Sequence, residues 1–477
     1  MENIEILLSE QNISAGDAQL YIKKSGNNEI NHVQQCGSIP LTFQSVINFI
    51  REVFLPFGYP ETVSEDYWNY QLWDTAQAFC STIIGAFTTR SILKGVGVGN
   101  SEANALSAAV TWILKDGMGM IGRIFFAWWK GNQLDSDCKK WRFFADILND
   151  VAMTIELILP YFSTYSMEIL CLTSSMKCIV GVAGGATRAS ITHHQAIKDN
   201  MAEISAKDGT QETLVNLIGS IVSLYLLTIF NDTHSEWLLI VALISLHLLT
   251  NYWAVKSLVF RTFNDQRLIL VLKSYFNIGT VLSPTKINEN ENVILGRGIN
   301  MQQICGFQVV IGKSLKTILN KWTAADLKEI LTVYQEYNYL LLINLNSREI
   351  YIILNKGESA ETLIAAYFNA ASLAIATCIY NHMNLDLLDK RQRNHRTPVN
   401  RLQTFMKSYQ TTSNLMNIPY NNLLQFQEFV KQEYQMFYTA LQINGKYCNV
   451  VINKKIYITK WLGEFIHTSY LCNSSIQ

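Results

Sequence analysis

Residues Thr213–Val255 read TLVNLIGSIVSLYLLTIFNDTHSEWLLIVALISLHLLTNYWAV. Two uncharged apolar runs, Thr213–Phe230 and Trp237–Val255, flank a short loop, Asn231–Glu236, and the charges of the stretch, Asp232 and Glu236, sit in that loop. At about 1.5 Å per residue, helices of this length reach roughly 27–28 Å, close to the roughly 30 Å of bilayer hydrocarbon. The stretch therefore predicts a transmembrane helical hairpin, weighed against a pair of long helices buried in a soluble core. Lys198 and Lys207 precede it, Lys256, Arg261 and Arg267 follow it, and the loop has neither Lys nor Arg. The positive-inside rule then puts both ends of the hairpin in the cytosol, at a membrane whose organelle the residues do not name.

The rest of the composition agrees with that opening. Of 477 residues, 49% are hydrophobic and 16% charged, against about a quarter charged in a soluble domain, which excludes disorder and points to a membrane-associated or deeply buried chain. The zero net charge conceals a gradient: residues 1–72 carry three basic and nine acidic groups, 73–283 balance, and 284–477 are net basic by six. No segment is basic enough for a nucleic-acid binder. The acidic N-terminus lacks the basic flank of a signal peptide, so insertion is expected through internal segments. Nine scattered cysteines with no CxxC pair support neither a disulfide framework nor a zinc site.

Four earlier stretches, Trp73–Leu93, Ala103–Trp129, Phe144–Phe162 and Ser166–Ser190, are long and apolar but interrupted by charge. Ala103–Trp129 contains Lys115, Asp116 and Arg123, and a charge at the bilayer centre costs about 2.5–3.5 kcal/mol, so such groups need partners or water. From Pro284 the chain turns polar, then takes the composition of an ordinary α/β domain. There Tyr339–Leu345 and Glu349–Leu354 predict a β-hairpin, and Thr323, with Asp326, and Ser359 predict helix starts. The basic run Lys390–Arg396 reads as a solvated loop, with anionic lipid headgroups as the sharper alternative.

Several motifs fail on spacing. Gly95–Asn100, GVGVGN, has Asn100 where a dinucleotide-binding turn needs its third glycine. Gly312-Lys313-Ser314 has Gly306 one residue too far upstream for a P-loop, and His193-His194 has no HExxH partner. What survives is a set of polar stripes. On a helical wheel of Trp141–Ile158, Arg142, Asp146, Asn149, Asp150 and Glu156 fall within an arc of roughly 120°. Glu212, Asn216, Gly219 and Ser223 line one face entering the hairpin. Such stripes serve either as glue between helices or as the lining of a polar cavity. Gly181, Gly184 and Gly185 form a small-residue face, for which close helix packing is the expected role.

Several of these residues lie in an ordered series of longer motifs: Leu55–Pro60 (LPFGYP), Asp66–Asp74 (DYWNYQLWD), the GVGVGN turn, Phe126–Gly131 (FAWWKG), Trp141–Asp150 (WRFFADILND), Val182–Ala196 (VAGGATRASITHHQA) and Asn200–Leu217 (NMAEISAKDGTQETLVNL). The series, spanning about residues 54–283, closely resembles the root UVB-sensitive family, its animal member in particular. The resemblance implies a membrane protein without an agreed catalytic set. In plants it implies links to seedling development, UV-B responses, auxin transport and pyridoxal phosphate homeostasis, with two paralogues acting together. It becomes faint beyond about Pro284.

The expected architecture is mainly α: a multi-helix membrane-associated bundle followed by a smaller α/β domain. Its parts are an acidic segment (1–53), the helical membrane domain (54–283), a linker (284–300) and the α/β domain (301–477). The ligand-binding candidates, taken from stripes and motifs, are Lys115, Asp116, Arg123, Arg142, Asp146, Asn149, Asp150, Arg188, His193, Gln195, Lys207, Asp208, Gln211, Glu212 and Asn216. The expected function is non-enzymatic: the polar-lined bundle binds or moves a small polar or anionic solute, without cofactor or metal. A membrane scaffold acting through homo- or hetero-oligomeric partners is the alternative. A weaker one is a pyridoxal-phosphate protein with Lys207 as the Schiff-base lysine. Membrane lipid is the expected partner, and nucleic acid is not.

Overall fold

A computed structural model describes residues 4–11, 18–24, 30–34, 43–97 and 105–445, apart from 231, 314, 320–321, 356–357, 384, 386–396 and 408–419. The basic run Lys390–Arg396, Ser314 and the last three residues of the GVGVGN turn lie outside the described residues.

The protein is mainly α. Three strands open the chain, β1 (Ile4–Gln11), β2 (Ala18–Lys24) and β3 (Ile30–Gln34), an antiparallel meander in sequence order, followed by α1 (Phe43–Phe54). Six long helices come next: α2 (Tyr67–Gly95), α3 (Ala105–Lys130), α4 (Cys138–Leu157), α5 (Ser166–Gln195), α6 (Met201–Ile229) and α7 (Thr233–Ser257). The side-chain partners give their directions. Asp74 meets Arg142, and Thr82 meets Asn216, so α2, α4 and α6 run together. Arg90 meets Glu236 and Trp73 stacks on Trp253, so α7 returns against α2. Gly119 meets Ser174 and Gly122 meets Ser175, so α3 lies parallel to α5. The bundle thus goes up and down three times and begins and ends on one side, where Asp66, His194 and Val259 converge.

Much of its outer surface is apolar. Ile113, Ile121, Phe125 and Trp128 on α3, Leu217, Ile221 and Leu224 on α6, and Leu238 and Val241 on α7 are all exposed. Among the described residues, Leu159–Gln195 (a 3-10 turn running into α5), Met201–Ile229 and Thr233–Ser257 are long and apolar enough to cross a membrane, as is Ala360–Tyr380.

The C-terminal region adds a few strands to more helices: α8 (Asp265–Ile278), α9 (Pro284–Asn290), α10 (Met301–Cys305), β4 (Gln308–Ile311), α11 (Leu315–Leu319), α12 (Ala324–Val333), β5 (Tyr339–Asn344), β6 (Glu349–Leu354), α13 (Ala360–Tyr380), α14 (Pro398–Lys407) and α15 (Tyr420–Gly445). The hairpin β5–β6 pairs Tyr339 with Leu354 through Asn344 with Glu349, and β4 adds in parallel to β6, giving the order β4-β6-β5. Thr323 and Asp326 form the capping box of α12, and Ser359 caps α13. In the core, α13 packs Phe368 against Phe276 at 5.3 Å and Phe437 at 4.9 Å between ring centroids. The helix α8 belongs to this core, its Leu268, Val271 and Phe276 all buried there, and it ends on Gly279 at φ +75, a left-handed conformation suited to glycine.

Residues 284–300, read as a linker from their polar composition, carry α9 and a buried ionic knot. Glu291 accepts from Arg267 Nη1 at 2.7 Å and Asn264 at 2.8 Å, and its other oxygen is 3.2 Å from Lys139 Nζ at the start of α4. Lys139 also donates to Asn288 Oδ1 at 2.9 Å. The polar side chains that look solvated in sequence are the partners that let Lys139 and Arg267 be buried, and they tie the two regions together. Burial alone would raise the Glu291 carboxyl, but Arg267 and Lys139 hold it down to about 2.

Candidate functional site

The interior of the bundle holds a set of paired charges. Along α4, Arg142, Asp146, Asp150 and Glu156 form one inward stripe, and each finds partners on other helices. Arg142 Nη2 donates to Asp74 of α2 at 2.8 Å, and Tyr70 reaches the same carboxylate at 3.4 Å. Asp146 accepts from the Asn251 amide of α7. One turn further, Asp150 Oδ2 lies 2.8 Å from His247 Nδ1, whose Nε2 lies 3.0 Å from the Gln77 amide nitrogen. Beyond these, Glu156 accepts from Lys177 of α5 at 2.5 Å. Asp146, Asp150, Glu156, His247 and Asn251 are all buried. Arg142 Nε and Asp150 Oδ1 are buried and have no hydrogen-bond partner among the described residues.

A second group sits toward the C-terminal side. Arg188 of α5 bridges Asp208 at 2.6 Å and Glu212 at 2.7 Å on α6, and Asp208 also accepts from Gln71 of α2. Gln71, Asp74 and Gln77 share a face of α2, so the two groups form one polar thread through the bundle.

The other sequence candidates lie elsewhere. Lys115, beside Asp116 at 3.8 Å and over the Trp112 ring at 4.0 Å, and the exposed Arg123 stand on the outer flank of α3. Asn149 touches Met153 Sδ at 4.0 Å. His193 is exposed, whereas its neighbour His194 lies 2.9 Å from Asp66, and Gln195 is buried with its carbonyl accepting from Ser64. Asn216 accepts from Thr82 at 2.7 Å. Lys207 and Gln211 donate to the Glu52 and Phe54 carbonyls, docking α1 on α6. Beside them a cavity of about 630 Å³ is lined by Arg51, Glu52, Tyr59, Glu203 and Lys207 among others.

The three expected packing glycines are not where helices approach most closely. A Cβ on Gly185 would meet nothing within 4 Å, and on Gly181 and Gly184 the nearest atoms are the guanidinium tips of Arg123 at 3.7 Å and Arg142 at 3.9 Å. The tight positions are Gly119 and Gly219, where an added Cβ would stand 2.7 Å from Cys178 Sγ and 3.1 Å from Thr82. The residues missed in sequence, Asp74, Gln77, His247 and Asn251, had a signal: His247 and Asn251 are the i,i+4 polar pair of an otherwise apolar helix.

Residues 41–279 match the family model described as a vitamin B6 photo-protection and homoeostasis domain, and residues 280–445 match that of the root UVB sensitive protein C-terminal region. The chain belongs to the root UVB sensitive family. Among its relatives are RUS family member 1 of Dictyostelium discoideum, 48% identical over 252 residues (52% of this chain, 48% of that protein), and protein root UVB sensitive 3 of Arabidopsis thaliana, 36% identical over 253 residues (53% and 58%). Protein root UVB sensitive 2, chloroplastic, of Arabidopsis thaliana is 27% identical over 343 residues (72% and 76%). The matched part is about half the length of the first of these relatives and under two thirds of the second. No solved structure matches the chain. The junction between the two family models, after residue 279, falls behind α8, although α8 packs in the C-terminal core. Every member of the charged thread on α2, α4, α5, α6 and α7 lies within the first root UVB sensitive region. Family membership and the apolar helices together fit a membrane protein.

Proposed function

We propose that α2–α7 span a membrane and that the ionisable thread inside them binds or moves a small polar solute, with the C-terminal domain regulating the bundle through the Glu291 knot. One observation carries this reading: apart from α3, whose Asp116 and Arg123 are exposed, the outward faces along the middle of the bundle are apolar and its paired charges lie inside. A water-soluble protein does the reverse, and buried charge amid lipid-facing helices is functional by default. Six carboxylates (Asp74, Asp146, Asp150, Glu156, Asp208, Glu212) face two guanidiniums (Arg142, Arg188) and one ammonium (Lys177) in the thread. That balance favours a neutral or cationic solute over an anionic one. Lys130, Lys139, Lys256 and Arg261 gather at the side that carries the C-terminal domain, which supports a cytosolic placement of that side.

The test is alkaline carbonate extraction of membranes from cells expressing the full chain. Retention in the pellet is expected, and release to the supernatant overturns the reading. A second reading, a membrane scaffold working through homo- or hetero-oligomeric partners, is favoured by the exposed aromatic edge of α3, Trp112, Phe125, Trp128 and Trp129. Arg142→Gln with Asp146→Asn separates the two: loss of assembly with folding intact supports the scaffold. The family model's description concerns vitamin B6, but the cavity at Lys207 does not fit a phosphorylated aldehyde. Its Arg51 and Lys207 are matched by Glu52 and Glu203, and the Lys207 ammonium already donates to the Glu52 carbonyl.

A further inference from the structure

We infer that Asp150 and His247 form a proton-binding site midway through the bundle, so that the species taken up by the charged thread is a proton. The inference rests on the reading of α2–α7 as membrane-spanning and deepens it by naming what the thread carries.

His247 stands near the middle of α7, fully buried, with both ring nitrogens engaged. Nδ1 faces the Asp150 carboxylate, which only accepts, so Nδ1 carries a hydrogen in either charge state. Nε2 faces the Gln77 side-chain amide, a group with a donor end and an acceptor end. With its nitrogen turned to the ring, Gln77 donates to the lone pair of neutral imidazole. Turned over, its oxygen accepts from the N–H of imidazolium. The site therefore satisfies both protonation states with one amide rotation, and the proton enters at Nε2 without leaving a buried polar atom of the ring unpaired.

The surrounding charges favour that uptake. The groups facing the pair are Gln77, Cys80 and, a turn away, Asp74 on α2; Asp146 and Arg142 on α4; and Asn251 on α7. With a neutral imidazole, Asp74, Asp146 and Asp150 outnumber Arg142 by two negative charges in a medium that penalises every unpaired ion. A proton on His247 removes one of them. The buried Asp150 Oδ1, without a hydrogen-bond partner among the described residues, is the place for a second. A proton fits better than a metal cation, because among the described residues no three His, Cys, Asp or Glu side chains are grouped to hold one. Further charged groups lie on both sides of the pair. Toward the C-terminal domain these are Asp146, Arg142–Asp74 and Asp208 and the half-exposed Arg188–Glu212 pair; the other way, the next charged group along α4 is Glu156, paired with the partly exposed Lys177.

The test is infrared difference spectroscopy of the full chain in lipid nanodiscs, stepped between about pH 8 and about pH 5. The wild type is expected to show imidazolium formation together with a perturbed buried carboxyl band. Asp150→Asn should abolish the carboxyl change, and His247→Gln should remove the buried ring's share of the imidazole change, leaving that of the exposed histidines, and alter the carboxyl change. A wild type without the carboxyl signal, or imidazole and carboxyl signals that persist unchanged in both variants, overturns the inference. Should Asp150→Asn not yield a monodisperse particle, His247→Gln decides alone, since glutamine can still donate to Asp150. Carbonate extraction keeps the two readings apart: a chain that leaves the membrane sinks the underlying reading, whereas a retained chain with unchanged signals sinks only the proton.

Discussion

The helices α6 and α13 are equally apolar in sequence, yet they have opposite surroundings. In α13, 83% of the most apolar 18-residue window is buried inside the protein; in α6 only 11% is. The polar groups differ to match. In α13, Asn369 bonds neutrally to the Tyr339 hydroxyl at 3.0 Å and to Gln427 at 2.7 Å, while α6 presents Asp208 and Glu212 inward to Arg188. An apolar helix in water must hide in a protein core, whereas one in lipid keeps its apolar side out and reserves the interior for charge. Length and hydropathy are shared by both cases, so the partner of the polar residue is what tells them apart.

The contrast breaks most sharply at Phe368. Phe368→Ala in the α13 core should cost about 3–5 kcal/mol in thermal unfolding of the purified chain, whereas Leu217→Ala on the outward face of α6 should change stability by about 0.5 kcal/mol or less. Comparable losses at both sites would mean that α6 is covered by protein and not lipid. The seam between the two regions gives the next effect. Glu291→Gln leaves Lys139 and Arg267 buried without their shared carboxylate, at a cost of about 3 kcal/mol. Because the folded Glu291 is held at about 2 against an ordinary 4.5, its stabilisation is fully present above about 4.5 and is lost as the pH falls toward 2. Acid titration of protease sensitivity at the seam should show that loss in the wild type and not in the variant. The smallest effects concern packing within the bundle. Gly119→Ala should destabilise by about 1–2 kcal/mol, since its Cβ would press on Cys178 and Ser174, while Gly185→Ala should be neutral or stabilise by up to about 1 kcal/mol. Equal effects would return Gly185 to a close helix contact.

Much of the fold was legible. The runs beginning at Trp73, Ala103, Phe144 and Ser166 correspond to α2–α5, the hairpin to α6 and α7, and the Thr323 and Ser359 caps start α12 and α13. Local signals of this kind depend on spacing of a few residues. The N-terminal meander was not read from the sequence: Ala18, Leu20 and Ile22 alternate with Gln19, Tyr21 and Lys23, but the partner strand Ile30–Gln34 is short and does not alternate. On α4 the stripe of Arg142, Asp146 and Asp150 could be drawn from the sequence, but its completion by Asp74, Gln77, His247 and Asn251 could not. Those partners lie 68 to 170 residues away along the chain, within each linked pair. For the same reason the sequence pointed to His193 while the folded chain engages His194.

Composition, helix length and motif order by themselves determined the mainly α class, the long apolar helices and the family, because each is a property of local segments. Tertiary structure alone decided which apolar helix is covered by protein, which glycines are crowded, and that a polar linker closes into the Glu291 knot. It also decided that an acidic stripe on one helix meets a histidine on another. Those outcomes depend on what lies across each contact, and a charge's partner in a low-dielectric interior is set by the packing of distant segments.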